Sequence, residues 1–168
     1  MLKQFHYNIE EMLRDKAPLF LLLENIQDPG NLGTMLRTGE GAGVSGIIMS
    51  RDTVDLYNPK VIRSTMGSIY RVPFYYADDF AAAVHQVQQA GVSVYAAHLR
   101  GKNSYACQDY TKGTAFLIGN EGNGLREETA ELADCYIRIP MEGKVESLNA
   151  AVASSILMYE AHRQLSLI

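Results

Sequence analysis

Short apolar runs alternate with amphipathic segments along almost the whole chain. The runs carry few polar residues, which is typical of strands covered on both faces in a parallel sheet. The segments between them repeat apolar residues at helical spacing. The predicted strands are Leu19–Leu23, Val44–Ser50, Ile69–Val72, Val92–Ala97, Thr114–Ile118 and Tyr136–Ile139. This alternation predicts the α/β class, with a parallel sheet and helices on both faces.

Capping residues and glycines mark the predicted helices. Predicted helices lie over about Tyr7–Asp15, from Asn31 to Gly43, from Asn58 to Gly67, from Asp78 to Gly91, over Leu125–Ala133 and from Ser147 onward. Asn31 and Ser147 are expected to cap their helices, because their side-chain oxygens can accept a hydrogen bond from a first-turn amide. His98–Gly113 is expected to be a loop or a broken helix.

The length of 168 residues indicates one domain over 1–168, with an N-terminal helix and lead-in within about 1–17. No apolar run is long enough to span a bilayer, and the N-terminus lacks the apolar segment of a signal peptide. Cys107 and Cys135 are isolated and have no metal-ligand spacing. We therefore expect buried thiols in a reducing compartment, which makes the cytoplasm the expected location.

The net charge of −4 argues mildly against a free-standing nucleic-acid binder. A local basic face and an ordinary mixed surface are both open interpretations. The cations in or beside predicted loops and helix ends are Arg37, Lys60, Arg63, Arg71, Arg100, Lys102 and Lys144.

Three junctions follow strands and have the composition of ligand-binding loops: Asn31–Arg37, Gly119–Gly124 and Ile139–Asn149. Loops and helix starts offer unpaired amides to a polar ligand. All three lie at carboxyl ends of strands, where α/β folds place their ligands. The glycines of the second junction let backbone groups approach a flat ligand closely.

Other motif-based sites are not supported. Gly41–Gly46 matches G-x-G-x-x-G, but it follows a helix and precedes a strand, so we reject a dinucleotide site. No P-loop and no G-x-S-x-G is present. The four histidines, His6, His85, His98 and His162, are scattered, so no metal site is predicted.

Taken together, three blocks resemble the SpoU branch of the SPOUT RNA methyltransferases, also called the TrmH family. The blocks are Asp28–Arg37 (DPGNLGTMLR), Phe116–Leu125 (FLIGNEGNGL) and Ile139–Ala153 (IPMEGKVESLNAAVA). Each alone is weak, but three in order and in register are specific. The resemblance implies a deep C-terminal trefoil knot and a homodimer.

The resemblance also implies transfer of a methyl group from S-adenosylmethionine to a ribose 2′-hydroxyl of tRNA or rRNA, without a metal. The implied cofactor residues are Ala97, Gly119, Asn120, Gly122, Ile139, Met141, Ser147 and Leu148. Arg37 is the implied main catalytic residue, and Asn31, Glu121, Ser147 and Asn149 are implied to position it, the ribose and the loops.

The guanidinium pKa above ~12 argues against Arg37 as a base. Our hypothesis is that Arg37 binds an RNA phosphate with two hydrogen bonds and stabilises charge developing on the ribose oxygen. The proton would then pass to the phosphate or to water. The chain departs from the family pattern at Asn120, where Ser or Ala is common, and in the expected lack of a separate N-terminal RNA-binding domain.

Two alternatives remain open at this point. One is a nucleotide-binding α/β oxidoreductase, although the segment after the first strand lacks the glycine fingerprint. The other is a non-catalytic, RNA-binding relative.

Overall fold

A parallel sheet of seven strands forms the centre of the molecule. The computed structural model describes residues 5–168. The strands are β1 (Leu19–Leu23), β2 (Gly46–Ser50), β3 (Phe74–Ala77), β4 (Ser93–Ala97), β5 (Asn103–Ser104), β6 (Thr114–Ile118) and β7 (Cys135–Arg138). Their order is β3-β2-β1-β6-β4-β7-β5, and each pairing between them is parallel. The predicted α/β class with a parallel sheet is confirmed.

Helices cover both faces of this sheet. They are α1 (Ile9–Met12), α2 (Pro29–Ala42), α3 (Pro59–Thr65), α4 (Phe80–Gln89), α5 (Glu127–Ala130) and α6 (Ala150–Leu165). Buried side chains of α2, α3 and α6 share one core cluster, and those of α1 and α4 share the other. Two short 3₁₀ helices, Ser68–Tyr70 and Tyr105–Cys107, complete the described elements.

Strand β1 is buried along its entire length. Leu19, Leu21 and Leu23 belong to the cluster under α2 and α6, whereas Phe20 and Leu22 belong to the cluster under α1 and α4. Successive side chains of a strand point to opposite faces of the sheet. An unbroken apolar run therefore fits a strand that is covered on both sides.

The prediction of a strand at Ile69–Val72 is wrong. These residues follow Gly67, whose φ of 90° turns the chain into the 3₁₀ helix Ser68–Tyr70. Ile69 is buried in this helix, and Val72 is buried just after it. The strand begins only after Pro73, whose carbonyl accepts a hydrogen bond from the amide of Ile47 at 2.9 Å. Apolar spacing alone does not separate a buried turn from a short strand.

Two predicted helix caps are also wrong. Asp28, not Asn31, caps α2, and its Oδ1 accepts from the Asn31 amide at 2.7 Å. Proline at the first helical position has no amide hydrogen to leave unpaired, so the helix begins at Pro29. Asn149, not Ser147, caps α6.

Several smaller differences concern lengths and exposure. The helix predicted over Leu125–Ala133 is regular only over α5, and the segment expected to be a loop contains β5. Cys107 is exposed and Cys135 is half-buried, so the expectation of two buried thiols is wrong. Within residues 5–168, no helix has the length and apolar character needed to cross a membrane. Residues 1–4 of the predicted lead-in lie outside the described residues.

Candidate active site

A pocket of about 580 Å³ opens where β4, β6 and β7 end. Its walls come from residues 97–99, 118–125, 137–142 and 146–148, with Ala150 and Ala153 of α6 behind them. The volume lies within the range of about 300–1,000 Å³ typical of small-molecule sites. The pocket therefore lies where parallel sheets place ligands.

All eight residues that the resemblance assigns to the cofactor line this pocket. They are Ala97, Gly119, Asn120, Gly122, Ile139, Met141, Ser147 and Leu148. Two of the residues with an implied catalytic role, Glu121 and Ser147, also line it. Asn31, Arg37 and Asn149 are not among its lining residues. Two of the three sequence blocks thus meet in the pocket, and no residue of the first block, Asp28–Arg37, is in its wall.

The glycine-rich loop after β6 is closed on itself. Asn120 and Gly124 exchange backbone hydrogen bonds at 3.1 and 2.9 Å. A Cβ on Gly119 would lie 2.2 Å from the backbone of Gly124, so only glycine fits there. Inside the loop, Oδ1 of Asn120 accepts from the amides of Gly122 and Asn123 at 2.9 and 3.0 Å. The side chain of Asn120 thus shapes the loop from within.

The carboxylate of Glu121 reaches from this loop to the start of α2. It accepts hydrogen bonds from the amides of Gln27 and Asp28 at 3.1 and 3.0 Å, and from Nδ2 of Asn31 at 3.3 Å. Partial burial by itself would raise the pKa of Glu121, but these donors outweigh it and hold the pKa below its ordinary value. Glu121 is therefore an ionised acceptor that ties two motif blocks together at pH 7.

Asn31 also forms a hydrogen bond with the residue that caps α6. Its Oδ1 accepts from Nδ2 of Asn149 at 3.0 Å. Oδ1 of Asn149 in turn accepts from the amides of Ala151 and Val152 at 2.8 and 3.2 Å and caps α6. A continuous polar chain therefore runs from Glu121 through Asn31 to the start of the last helix.

Arg37 lies on the outer, exposed side of α2. No ion pair found within residues 5–168 involves Arg37. Helix α2 is held between its neighbours: a Cβ on Gly33 would be 1.8 Å from Oγ of Ser64 on α3, and Thr38 contacts Ser155 of α6 at 3.3 Å. The guanidinium is thus carried by a fixed helix and is free to bind an anion.

His98 lines the pocket and was not singled out by the sequence. Its ring stacks on Tyr136 with centroids 4.9 Å apart, and Nδ1 accepts from the amide of Arg100 at 3.1 Å. Burial, followed by the charge of Arg100, lowers the pKa of His98. The ring is therefore neutral at pH 7, with its hydrogen on Nε2.

The sequence also gave no role to Glu24, Asp52 and Arg126, which form an ion-pair cluster beside the glycine-rich loop. A usable signal existed: Glu24 is the first charged residue after the apolar run of β1, at the end of the sheet where ligands bind. Arg126 had no comparable signal, because its partners are distant in the sequence.

The model of the SpoU rRNA Methylase family matches residues 18–159, and the chain belongs to this family. A similar curated protein is the 23S rRNA (guanosine(2553)-2'-O)-methyltransferase RlmP of Bacillus subtilis, with 37% identity over 139 residues. That match covers 83% of this chain and 56% of RlmP. The chain spans between about half and two thirds of the length of the curated relatives it matches.

Solved structures share the fold. The SpoU methyltransferase AviRb from Streptomyces viridochromogenes, in complex with the cofactor AdoMet, superposes with a TM-score of 0.86 at 31% identity, covering 94% of this chain and 61% of AviRb. A protein described under "Structural insights into the 2-OH methylation of C/U34 on tRNA" gives a TM-score of 0.83 at 32% identity. There the match covers 92% of this chain and 100% of the other.

Proposed function

We propose that this protein transfers a methyl group from S-adenosylmethionine to a ribose 2′-hydroxyl of tRNA or rRNA. The observation that carries the proposal is the convergence of three sequence blocks on one site. Every implied cofactor residue lines the pocket of about 580 Å³. The hydrogen-bonded chain from Glu121 through Asn31 to Asn149 joins the same three blocks beside it.

The chemistry of the pocket suits S-adenosylmethionine. Ile118, Ile139 and Leu148 offer apolar surface to a flat base, and the loop after β6 offers backbone donors and acceptors. Glu121 and Glu142 lie in the wall, and carboxylates favour a ligand with a cationic sulfonium. Bound there, the cofactor would supply a methyl group that is already activated, so we propose a reaction without a metal.

Arg37 acts, in this proposal, on the RNA rather than as a base. Its planar guanidinium binds a phosphate with two hydrogen bonds and stabilises charge that develops on the ribose oxygen. The proton passes to the phosphate or to water. Asn31, Glu121, Ser147 and Asn149 keep the ribose, Arg37 and the loops in register, and the polar chain between Glu121 and Asn149 supports that role.

We further propose a homodimer. Arg37 is outside the pocket wall, on the outer face that α2 shares with α6. On that face Val152 and Tyr159 expose 47% and 48% of their surfaces, an apolar pair that a second copy would cover. A dimer through this face brings Arg37 of one protomer towards the pocket of its partner.

Mixed dimers test this arrangement. Arg37→Ala subunits and Leu148→Arg subunits, the latter with a charged chain in the pocket, should each be inactive alone. If the site is shared, mixing them restores activity, because one site of each mixed dimer is intact. Inactive mixtures with demonstrated subunit exchange would contradict a shared site.

The distribution of charge supports RNA as the partner. Arg71 and Arg100 are paired with Glu40 and Glu127. The described ion pairs do not include Arg37, Lys60, Arg63, Lys102 or Lys144. Ser64 of α3 lies against Gly33 of α2, so Lys60 and Arg63 extend the basic surface that begins at Arg37. This favours a local basic face over a fully mixed surface.

We propose that residues 1–168 act as a single domain in the cytoplasm, in keeping with two free cysteines. The C-terminal trefoil knot stays a prediction from the family resemblance.

Calorimetry separates this proposal from the oxidoreductase alternative. Wild-type protein should bind S-adenosylmethionine, Leu148→Arg should not, and NAD should give no binding heat with either. Binding of NAD without binding of S-adenosylmethionine would overturn the proposal.

A further inference from the structure

A buried carboxylate supports the glycine-rich loop from behind. Glu24 follows β1 directly and is only 3% exposed. It accepts hydrogen bonds from the amide of Arg126 at 2.9 Å, from Nη1 of Arg126 at 3.3 Å and from Oγ1 of Thr129 at 2.5 Å. Its donors come from the segment that follows the loop and from α5. A buried charge with this many donors holds the groups that surround it in fixed positions.

Arg126 also forms an ion pair at the end of a second strand, β2. Its Nη2 pairs with Asp52, which follows β2, and Asp52 also accepts from Oγ of Ser50 at 2.5 Å. The guanidinium is about half exposed, so it spans from the buried Glu24 to the protein surface. One planar fork thus binds two carboxylates on neighbouring strand ends, which a lysine cannot do.

The other end of the loop is attached to the next residue of the chain. Nδ2 of Asn120 donates to the carbonyl of Asn25 at 2.8 Å. Asn25 has a φ of 53°, and its amide donates to Oγ of Ser50 at 2.8 Å. Glu24 and Asn25 therefore hold the two ends of the segment that contains Gly122 and Gly124. Both glycines line the pocket.

We propose that Glu24 and Arg126 are positioning residues for the cofactor, which fix the loop between Asn120 and Arg126 in the conformation that binds it. The inference rests on the proposed function, since it takes the ligand of the pocket to be S-adenosylmethionine. A loop that is already ordered gives up less conformational freedom when the ligand binds. Loss of the support therefore weakens cofactor binding and leaves the transfer step itself intact.

Arg126→Gln is the main test, because the side chain is half exposed and its loss leaves the core packed. We expect the Kd for S-adenosylmethionine to rise about tenfold, the size of one hydrogen bond to a charged group. The KM for the cofactor should rise with it, and kcat at saturation should stay within about twofold. Glu24→Gln should act in the same direction. Arg51→Gln is the matched control, since Arg51 pairs with Asp78 in an exposed ion pair of 2.6 Å.

Hydrogen exchange provides a readout that does not depend on the cofactor. In Arg126→Gln the amides of Gly122, Asn123 and Gly124 should exchange faster, with β1 and β2 unchanged. An unchanged Kd, or an equal acceleration throughout the sheet, would overturn the inference, as would an unchanged loop. If wild-type protein does not bind S-adenosylmethionine, the proposed function fails, and the exchange experiment still decides whether Glu24 and Arg126 order the loop.

Discussion

Asn149 donates from Nδ2 to Oδ1 of Asn31 at 3.0 Å, across a separation of 118 residues. With its own Oδ1, Asn149 also accepts from the amides of Ala151 and Val152 and caps α6. Different atoms of the Asn149 side chain thus cap the last helix and connect it to the first sequence block, Asp28–Arg37. Substitutions at this position can separate stability from activity.

Asn149→Asp keeps the capping oxygen and loses the donor to Asn31. We expect the free energy of unfolding to change little, because a carboxylate caps a helix as well as an amide does. Methyl transfer should fall by at least about tenfold, since Oδ1 of Asn31 would then face a carboxylate. Asn149→Ala should lose activity and also about 1 kcal/mol of stability with the cap. Denaturant unfolding and methyl transfer, measured on both variants, check this; full activity of Asn149→Asp would contradict it.

Gly33 allows α2 and α3 to approach each other. A Cβ at this position would lie 1.8 Å from Oγ and 2.6 Å from Cβ of Ser64. Alanine would favour the helix by up to about 1 kcal/mol, but overpacking costs about 1–3 kcal/mol. We expect Gly33→Ala to lower the free energy of unfolding by about 2 kcal/mol, a net figure that assumes a severe overpacking cost. Denaturant unfolding measures it.

Gly143→Ala is the matched control for this substitution, because nothing lies within 4 Å of the Cβ it adds. The free energy of unfolding of the double variant Gly33→Ala/Ser64→Gly should be higher than the value obtained by adding the effects of the two single substitutions. Strict additivity of the two changes would exclude a steric origin.

The lowered pKa of Glu121 predicts a pH dependence. A carboxylate whose pKa is lower in the folded state contributes stability above its ordinary value of 4.5, and that contribution is lost as the pH falls through the folded-state pKa. Wild-type protein should therefore have a higher Tm than Glu121→Gln at pH 7. The difference should shrink as the pH falls below about 4.5. Thermal melts from pH 7 to pH 3 check this, and a difference that grows in acid would contradict it.

Arg37→Lys tests the proposed phosphate contact. Lysine keeps the positive charge but is a point donor, whereas the guanidinium binds phosphate through two parallel hydrogen bonds. We expect RNA binding to weaken by less than about tenfold and methyl transfer to fall further, by about a hundredfold. Filter binding and single-turnover transfer measure the two effects. Full activity with unchanged RNA binding would rule out the bidentate role.

Much of the fold could be predicted because β1, β2 and β6 are buried along their whole length, as is most of β4. The strand predicted at Ile69–Val72 was wrong because Ile69 is buried in a 3₁₀ helix and Val72 just after it, and their apolar spacing resembles that of a short strand. The local hydrophobic pattern indicates which residues are buried, but burial does not by itself specify backbone geometry.

The site was predictable where it depends on local sequence. Seven of the eight implied cofactor residues occur in the second and third blocks, and the structure brings these two blocks and Ala97 to one pocket. Two local contacts were misplaced, because the caps are Asp28 and Asn149 and not Asn31 and Ser147. Contacts between distant residues were not predictable: the pair of Glu24 and Arg126 is separated by 102 residues. Such contacts depend on strand order, which periodicity does not determine.

Methyl transfer to RNA tests the central claim most directly. The protein would be incubated with unfractionated bacterial tRNA and rRNA and with S-adenosylmethionine labelled in its methyl group, and the RNA would then be digested to nucleosides. We predict label on the ribose, as 2′-O-methylnucleoside, with wild-type protein and none with Leu148→Arg. Label on a base, or no label from wild-type protein that binds both the cofactor and the RNA, would contradict the account.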